Sequence, residues 1–409
     1  MGAVVVQRTS NKAGKDMLLK QLNNQTDVEE VKGCYTLWKK CFGDSKAYMD
    51  YYFEHKLKDN EIYVLKEDEV VSMLHLNPFR MSLHGQEKTY HYIVGVATEE
   101  EKRGQGCMRQ VLTHSLRKKH KEGELFTYLM PAAKEIYLPY DFRYIYSQKR
   151  IVGNLVPGRL QKTELVVKPY GQLTEQEKEE AVSFVMKKLD EAFSLYTVRN
   201  KAYYERTSLE MQAAGGELVS IYEAGRLQAV CFYMLENGHM EVVETVTNPE
   251  KTEAVVNALF LHVQEVKPHK ELEVAFLETH FLETEKIMPF LEQANRCDQP
   301  IIMARILDVK AALKLLKAKN EDITIRIAVT DPIIAENEAT YELRSSKSGT
   351  VVTVTKEPYD LKMDIATFTE FFFESKAVAS LLVEYKTEQA KKMLEALTGC
   401  FPCYINEIV

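Results

Sequence analysis

Apolar positions along this chain change their spacing several times, and each change marks an element. Between Val31 and Phe53 the apolar residues Cys34, Leu37, Trp38, Cys41 and Phe42 fall at helical intervals. After Gly43-Asp44, with Ser45 near a cap position, Tyr48, Tyr51 and Tyr52 predict a second helix. Strands are predicted at Ile62 to Lys66, Val70 to Leu76 and Phe79 to Leu83, with turns at Glu67-Asp68-Glu69 and Leu83-His84-Gly85-Gln86. A further apolar strand, Tyr92 to Thr98, runs through a charged turn into Arg103-Gly104-Gln105-Gly106. That turn opens a helix whose Met108, Val111, Leu112 and Leu116 define one buried face. Lys118, Lys119 and Lys121 crowd its last turn, where cations suit the helix dipole. The strand Leu125 to Met130 follows directly.

The pattern restarts after Val156-Pro157-Gly158 and Lys168-Pro169-Tyr170-Gly171, which read as a linker. A helix from Thr174 to Leu189 opens with a capping signature. Strands at Leu218 to Glu223, Leu227 to Leu235 and Met240 to Thr247 follow, and Asn237-Gly238 marks a hairpin between two of them. A helix at Thr252 to Val266 and a strand at Leu272 to Leu277 complete a second round of the first region's order, without its glycine turn. From Pro300 the chain changes again. Ile301 to Ile306 leads to a helix at Val309 to Leu316, then strands at Ile323 to Val329, Ala339 to Arg344 and Thr350 to Lys356. Helices at Ile365 to Phe373 and Glu388 to Leu397 close the chain. The N-terminal stretch to about Val28 is polar and reads as a poorly ordered extension.

A chain of 409 residues exceeds one ordinary core. Its 45% hydrophobic and 28% charged residues are those of a globular protein. No apolar run reaches membrane-helix length, and no secretory leader is legible, so neither a membrane nor export is expected. Seven cysteines at scattered spacing point to a reducing, cytoplasmic setting. The net charge of −7 disfavours a nucleic-acid partner and favours cationic substrates. His75, His84 and His91 share no ligand spacing, and Cys400-Phe401-Pro402-Cys403 has no second pair, so no metal is expected.

The strand, glycine turn and helix between Tyr92 and Lys121 have a use. Unpaired N–H groups at a helix N-terminus receive a pyrophosphate, and glycine lets the backbone approach it. Arg103-x-x-Gly106-x-Met108 resembles the acyl-CoA signature of the GNAT superfamily of N-acetyltransferases, departing at Met108, where that family has Gly or Ala. Gly95-Val96-Ala97-Thr98 before it, and Ile136-Tyr137 with Tyr140-Asp141-Phe142 after it, arrive in the superfamily's order. Together they look like the enhanced-intracellular-survival (Eis) type. The resemblance implies an α/β (α+β) chain: two tandem GNAT-like mixed-sheet domains followed by a sterol-carrier-protein-like α+β domain. The corresponding boundaries are an extension over 1–28, a catalytic domain over 29–160, a second GNAT-like domain lacking the cofactor turn over 161–299, and the C-terminal domain over 300–409.

By the same resemblance, acetyl-CoA would lie against Val96, Ala97 and Thr98 and on the turn Arg103, Gly104, Gln105, Gly106, Cys107 and Met108. A tyrosine would protonate the leaving thiolate. Alignment through Ile136-Tyr137 selects Tyr137, while alignment through Phe142-Arg143-Tyr144 selects Tyr144; Tyr137 is favoured. Phe142 takes the place of the Eis-type acid in the first alignment. The base would be the C-terminal carboxylate, here that of Val409. The implied activity is acetyl transfer to a primary amine, on an aminoglycoside-like or polyamine-like acceptor or a lysine, in a homo-oligomer, a hexamer by the resemblance. A non-catalytic CoA- or lipid-binding scaffold is the rival reading.

Overall fold

In a computed structural model, which describes residues 6–10 and 16–407, the chain forms two compact units. The first comprises Met1–Asp44, Lys56–Tyr146 and Ile301–Val409, and the second Ser45–His55 with Ser147–Pro300. The division falls inside two long strands rather than at the Pro/Gly-rich linker, and the C-terminal region packs into the first unit.

In the first unit, β1 (Val6–Ser10), β2 (Asp16–Leu22), β3 (Glu61–Lys66), β4 (Val70–Leu83) and β5 (Gln86–Thr98) pair antiparallel in that order. The extension expected over residues 1–28 is thus corrected for its second half. Residues 16–22 form a strand on β3, with Met17, Leu19 and Leu22 buried. Helix α1 (Val28–Cys41) buries Cys34, Leu37 and Trp38. It approaches β4 closely at Gly33, where a Cβ would stand 3.0 Å from Val70 Cγ2. Helix α2 (Lys46–Tyr51) belongs to the second unit and is capped by Ser45, as its position in the sequence predicts. Helix α3 (Cys107–Lys121) turns Val111, Leu112 and Leu116 into the core, each worth roughly 1.5–3 kcal/mol of burial. The sheet then takes β6 (Phe126–Leu129), parallel to β5, and a short helix α4 (Lys134–Tyr137) leads into β7 (Arg143–Leu155).

The second unit runs β8 (Val166–Pro169), α5 (Glu175–Ala192), β9 (Leu195–Thr197), α6 (Lys201–Ala213), β10 (Glu217–Glu223), β11 (Arg226–Glu236), β12 (His239–Thr247), α7 (Thr252–Val266) and β13 (Glu273–Leu277). The capping box at Thr174 and Glu177 forms both of its hydrogen bonds. Asn237 and Gly238 adopt φ of 51° and 79°, the left-handed pair that a tight hairpin demands. Pairing in the order β8-β10-β11-β12-β13 repeats that of β2-β3-β4-β5-β6, with α7 in the place of α3. Each sheet is completed by a strand from elsewhere in the sequence. Residues 150–154 of β7 pair with β13, and residues 303–306 of β14 (Leu291–Ile306) pair with β6.

The C-terminal region adds α8 (Val309–Leu313), β15 (Lys317–Ala318), β16 (Ile323–Thr330), β17 (Ala339–Ser346), β18 (Gly349–Thr355), β19 (Leu361–Asp364), α9 (Ile365–Phe372), β20 (Glu384–Tyr385) and α10 (Glu388–Glu395). Five of these strands form a separate sheet in the order β18-β17-β16-β19-β20. Arg305 joins this region to the rest of the unit. Its fully buried guanidinium donates to Asp331 Oδ1 at 2.5 Å, to Ile306 O at 3.0 Å and to Tyr140 O at 3.0 Å. Asp331 also accepts from the N–H groups of Ile333 and Ile334 and from Asn337 Nδ2, each at 2.9 Å. Arg117 of α3 donates to Ile333 O at 2.9 Å, so the same loop also holds the helix.

At the far end of α3, buried Lys119 bonds Glu61 and reaches Glu122 at 2.8 Å, while Tyr63 donates to Glu61 at 2.6 Å. Burial alone would raise the Glu61 pKa, but the Lys119 and Tyr63 hydrogen bonds outweigh it and hold it at about 2, against 4.5 ordinarily. A depressed carboxylate pKa stabilises the fold above its unfolded value, and that contribution is lost as the pH falls from about 4.5 toward 2. Glu61→Gln should flatten this acid limb in urea unfolding followed across that window. At neutral pH it should cost on the order of 2 kcal/mol, because buried Lys119 loses one of its two carboxylates and keeps only Glu122. An unchanged acid limb would show that Glu61 is not the titrating group.

Candidate active site

The two central strands of the first unit are parallel neighbours that barely pair. Their register is recorded at one position, Tyr92 with Tyr128. Beyond it Tyr92 Oη accepts a hydrogen bond from Met130 N at 3.0 Å across the parting strands. On its other side β5 carries a bulge. Met73 faces Ala97 and His75 faces Val94, so Gly95 and Val96 together oppose Leu74. Gly95 sits at φ 60° and takes the left-handed conformation the bulge requires.

The parting opens a cavity of roughly 770 Å³. One wall is β5 from Tyr92 to Thr98, and the opposite wall is Met130, Pro131 and Ala132. The glycine turn with the start of α3 also lines it, as do Ile136, Tyr137 and Tyr140 and, from the end of α1, Cys41 and Phe42. Among the expected donor-binding residues, Val96, Ala97, Thr98, Arg103, Gly104, Gly106, Cys107 and Met108 line this one cavity. Gln105 does not; its amide donates back to Glu101 O at 2.8 Å. Met108, expected both on the buried face of α3 and at the donor turn, is half-buried and borders the cavity. Lys102, Arg109, Phe42 and Tyr140 line it too, although none of them was among the expected site residues.

Gly106 caps α3 at φ 85°, and Gly104 has φ 73°. A Cβ at either would meet no atom within 4 Å, so both glycines face open space. The cap supplies no side-chain acceptor, and the first N–H groups of α3 have no intrahelical partner. With Arg103 and Arg109 beside them, the turn fits a bound pyrophosphate in both charge and shape.

The tyrosines separate clearly. Tyr137 is 7% exposed, stands edge-on to Phe142 at 5.9 Å and lines the cavity; burial pushes its phenol well above the ordinary value. Tyr140 lines the cavity half-buried. Burial raises its phenol, and the Arg109 charge acts in the opposite sense. Tyr144 packs at the margin of the core cluster, its phenol raised by burial and by the Glu135 carboxylate, and it is not among the lining residues. Phe142 is fully buried. Val409, expected as the base, lies outside the described residues, while Tyr404 to Glu407 just before it are buried. Cys400 and Cys403 are buried with both thiols raised, Cys403 to about 12, which disfavours thiolate chemistry. Among the described residues no cluster of His, Cys, Asp and Glu is placed to hold a metal ion, and no helix is long and apolar enough to cross a membrane.

Residues 24–145 match the acetyltransferase (GNAT) domain family, and residues 309–405 match the sterol carrier protein domain family. No curated protein matches the chain. Among solved structures, it is similar to a conserved protein of unknown function from Enterococcus faecalis V583, described as a probable N-acyltransferase, with a TM-score of 0.77 at 18% identity. It is also similar to a GCN5-related N-acetyltransferase from Anabaena variabilis ATCC 29413, with a TM-score of 0.72 at 15% identity, and to Eis1 from Mycobacterium abscessus, with 0.64 at 14%. Each alignment covers 96% of this chain and 100% of the other. At these identities the likeness shows the fold. The cavity lies within the stretch that matches the acetyltransferase (GNAT) domain family.

Gly106 offers the cleanest test of the donor site. Asn and Asp both tolerate a left-handed backbone, so Gly106→Asp and Gly106→Asn differ mainly in charge. The carboxylate should weaken acetyl-CoA binding by at least about tenfold more than the amide does, through repulsion of the phosphates. Calorimetric titration of the two folded variants measures this, and equal affinities would remove the phosphates from this turn.

Proposed function

We propose that this chain is an acetyl-CoA-dependent N-acetyltransferase of the Eis type, acting on a primary amine of a small cationic acceptor or a lysine side chain. The observation that carries the reading is one cavity lined both by an open glycine turn and by a buried, protonated phenol. The second unit, on this reading, is a GNAT-like domain in which the chain passes from Thr247 to α7 through Asn248 and Pro249–Lys251, with no glycine. The net charge of −7 favours attraction of a cationic acceptor.

Bound acetyl-CoA would supply an activated acetyl thioester, exchanging its C–S bond for the C–N bond of the product amide. The chain's residues then have separable tasks. The α3 N-terminus, Arg103 and Arg109 neutralise phosphate charge. The bulge at Gly95 and Val96 turns the β5 backbone toward the cavity, where its polar groups hold the donor's amides and fix the reacting carbon. Tyr137 Oη keeps its proton at neutral pH because burial disfavours the phenolate. It is therefore a donor for the departing sulfur. The acceptor must lose a proton to become nucleophilic, and water at the open side of the cavity can receive it.

Tyr137→Phe should lower kcat by roughly 10²-fold or more and leave acetyl-CoA affinity near that of the parent. Tyr144→Phe should have a smaller effect, since that ring lies away from the lining. Thiol release measured against a panel of polyamines, aminoglycosides and lysine peptides reads both variants. A larger loss in Tyr140→Phe than in Tyr137→Phe would transfer the acid to Tyr140. Tight acetyl-CoA binding with no release for any amine would identify a CoA-binding scaffold instead.

A further inference from the structure

The bulge that shapes the donor wall is held from behind by one side chain. An ideal Cβ on Gly95 would stand 2.5 Å from Trp38 Cζ3 and 3.1 Å from Cε3, so the indole occupies the space a side chain would need. Trp38 is fixed in turn. Its Nε1 donates to Asp44 Oδ2 at 2.7 Å, and its ring lies 5.0 Å from that of Phe42 and 5.6 Å from that of His75. His75, opposite Val94 across the bulge, is wholly buried, and burial holds its pKa down at about 3, so the floor beneath the bulge carries no charge at neutral pH. Cys41 and Phe42, the residues that follow Trp38 by one turn, line the cavity themselves.

We propose that Trp38 is the positioning residue of the donor site: its indole fills the place of the side chain absent from Gly95, and so couples the seating of α1 to the aim of the β5 backbone at the acyl donor. This rests on the cavity being the acetyl-CoA site. The bulge needs a glycine for its φ of 60°, and a glycine leaves a gap beneath the strand. An unfilled gap would let Val94 to Ala97 relax toward regular pairing with β4, which would turn the backbone away from the donor. A flat indole, anchored at its nitrogen, is rigid and apolar enough to hold that gap without competing for the strand's hydrogen bonds. Trp38 neither touches reacting atoms nor supplies a proton, and its contribution is geometric.

Trp38 is the single tryptophan of the chain, so tryptophan fluorescence reports the surroundings of this one indole. Titrating the full-length protein with acetyl-CoA should change its emission saturably, with the same Kd as calorimetry. Trp38→Ala, where circular dichroism shows it folded, should raise Kd and KM for acetyl-CoA at least about tenfold, while Trp38→Phe should restore them to within about threefold. The pH dependence of kcat should be the same in all three proteins, since no titrating group changes. Gly95→Ala supplies a measurement independent of the stability of Trp38→Ala. It should weaken binding strongly in the parent and measurably less in a Trp38→Leu background, where the backbone strain at φ 60° remains but the clash has gone. Equal effects of Gly95→Ala in both backgrounds, or a folded Trp38→Ala with parental Kd and KM, would overturn the proposal. A parent that binds no acetyl-CoA by calorimetry would overturn the reading of the cavity itself, and this inference with it.

Discussion

The structure depends on two parallel strands that must lie side by side and yet not pair. A central strand that leaves its neighbour exposes backbone N–H and C=O groups inside the molecule, and each such group is costly unless something replaces the lost partner. Three features keep β5 and β6 apart after their one recorded pair. Tyr92 Oη takes the Met130 N–H and thereby bridges the gap. The bulge at Gly95 and Val96 turns the β5 backbone out of register with β4. Trp38 blocks the collapse of that bulge. What remains is a slot whose walls are main chain, suited to a ligand that carries its own amides. The family match and the glycine turn agree with that chemistry.

A slot is useful only if its lining is fixed, and the tyrosines of this lining come from a short, irregular turn. Residues 134–142 comprise one turn of helix, a 3-10 turn and Asp141 at φ 66°. Arg305 holds it by donating to Tyr140 O, while the same guanidinium is neutralised by Asp331 in the C-terminal region. A buried ion pair is not in itself a source of much stability, but breaking one is expensive. That asymmetry suits a part whose job is to prevent motion. The sterol-carrier-like region therefore has a mechanical relation to the cavity, through Arg305 to the Tyr140 backbone and through Arg117 to α3, whatever else it binds.

Local pattern carried most of the elements. Val111, Leu112 and Leu116 marked the buried face of α3, Thr174 and Glu177 marked a helix start, and Asn237-Gly238 marked a hairpin, because in each case neighbours in sequence decide the conformation. The failures share the opposite property. Strand β2 falls in a stretch that reads as a polar, poorly ordered extension, and only pairing with β3 decides that Met17 and Leu19 are buried. The first half of β14 is polar and exposed, and resembles a loop until it is seen to lead into Ile301 to Ile306. Most of the cavity lining from Val96 to Met108 was legible as a run of sequence, whereas which of Tyr137 and Tyr144 borders the cavity was not. That choice turns on how the Asp141 turn folds the chain back, which no spacing encodes. Trp38 and Gly95 were each visible, one as a helix core residue and one as part of a motif, but nothing in the sequence joins them.

The second unit shows how little separates such a slot from an ordinary core. Strand β12 also bulges: Phe232 faces Glu244 and Tyr233 faces Val242, leaving Val243 unopposed. Yet its parallel partner β13 stays paired over four positions, from His239 with Glu273 to Val242 with Phe276. No glycine turn follows, and Glu244, next to the bulge, is consumed in a fully buried ion pair with Arg199 at 2.8 Å. The same order of elements thus supports both outcomes. The bulge is common to both units, so it cannot be the feature that makes a site. What distinguishes the first unit is the early parting of β5 from β6, the glycines that keep the helix N-terminus open, and an apolar rather than ionic group behind the bulge. An ion pair there would tie the strand to one fixed partner, whereas the Trp38 indole supports the strand and leaves its outward backbone groups for a ligand.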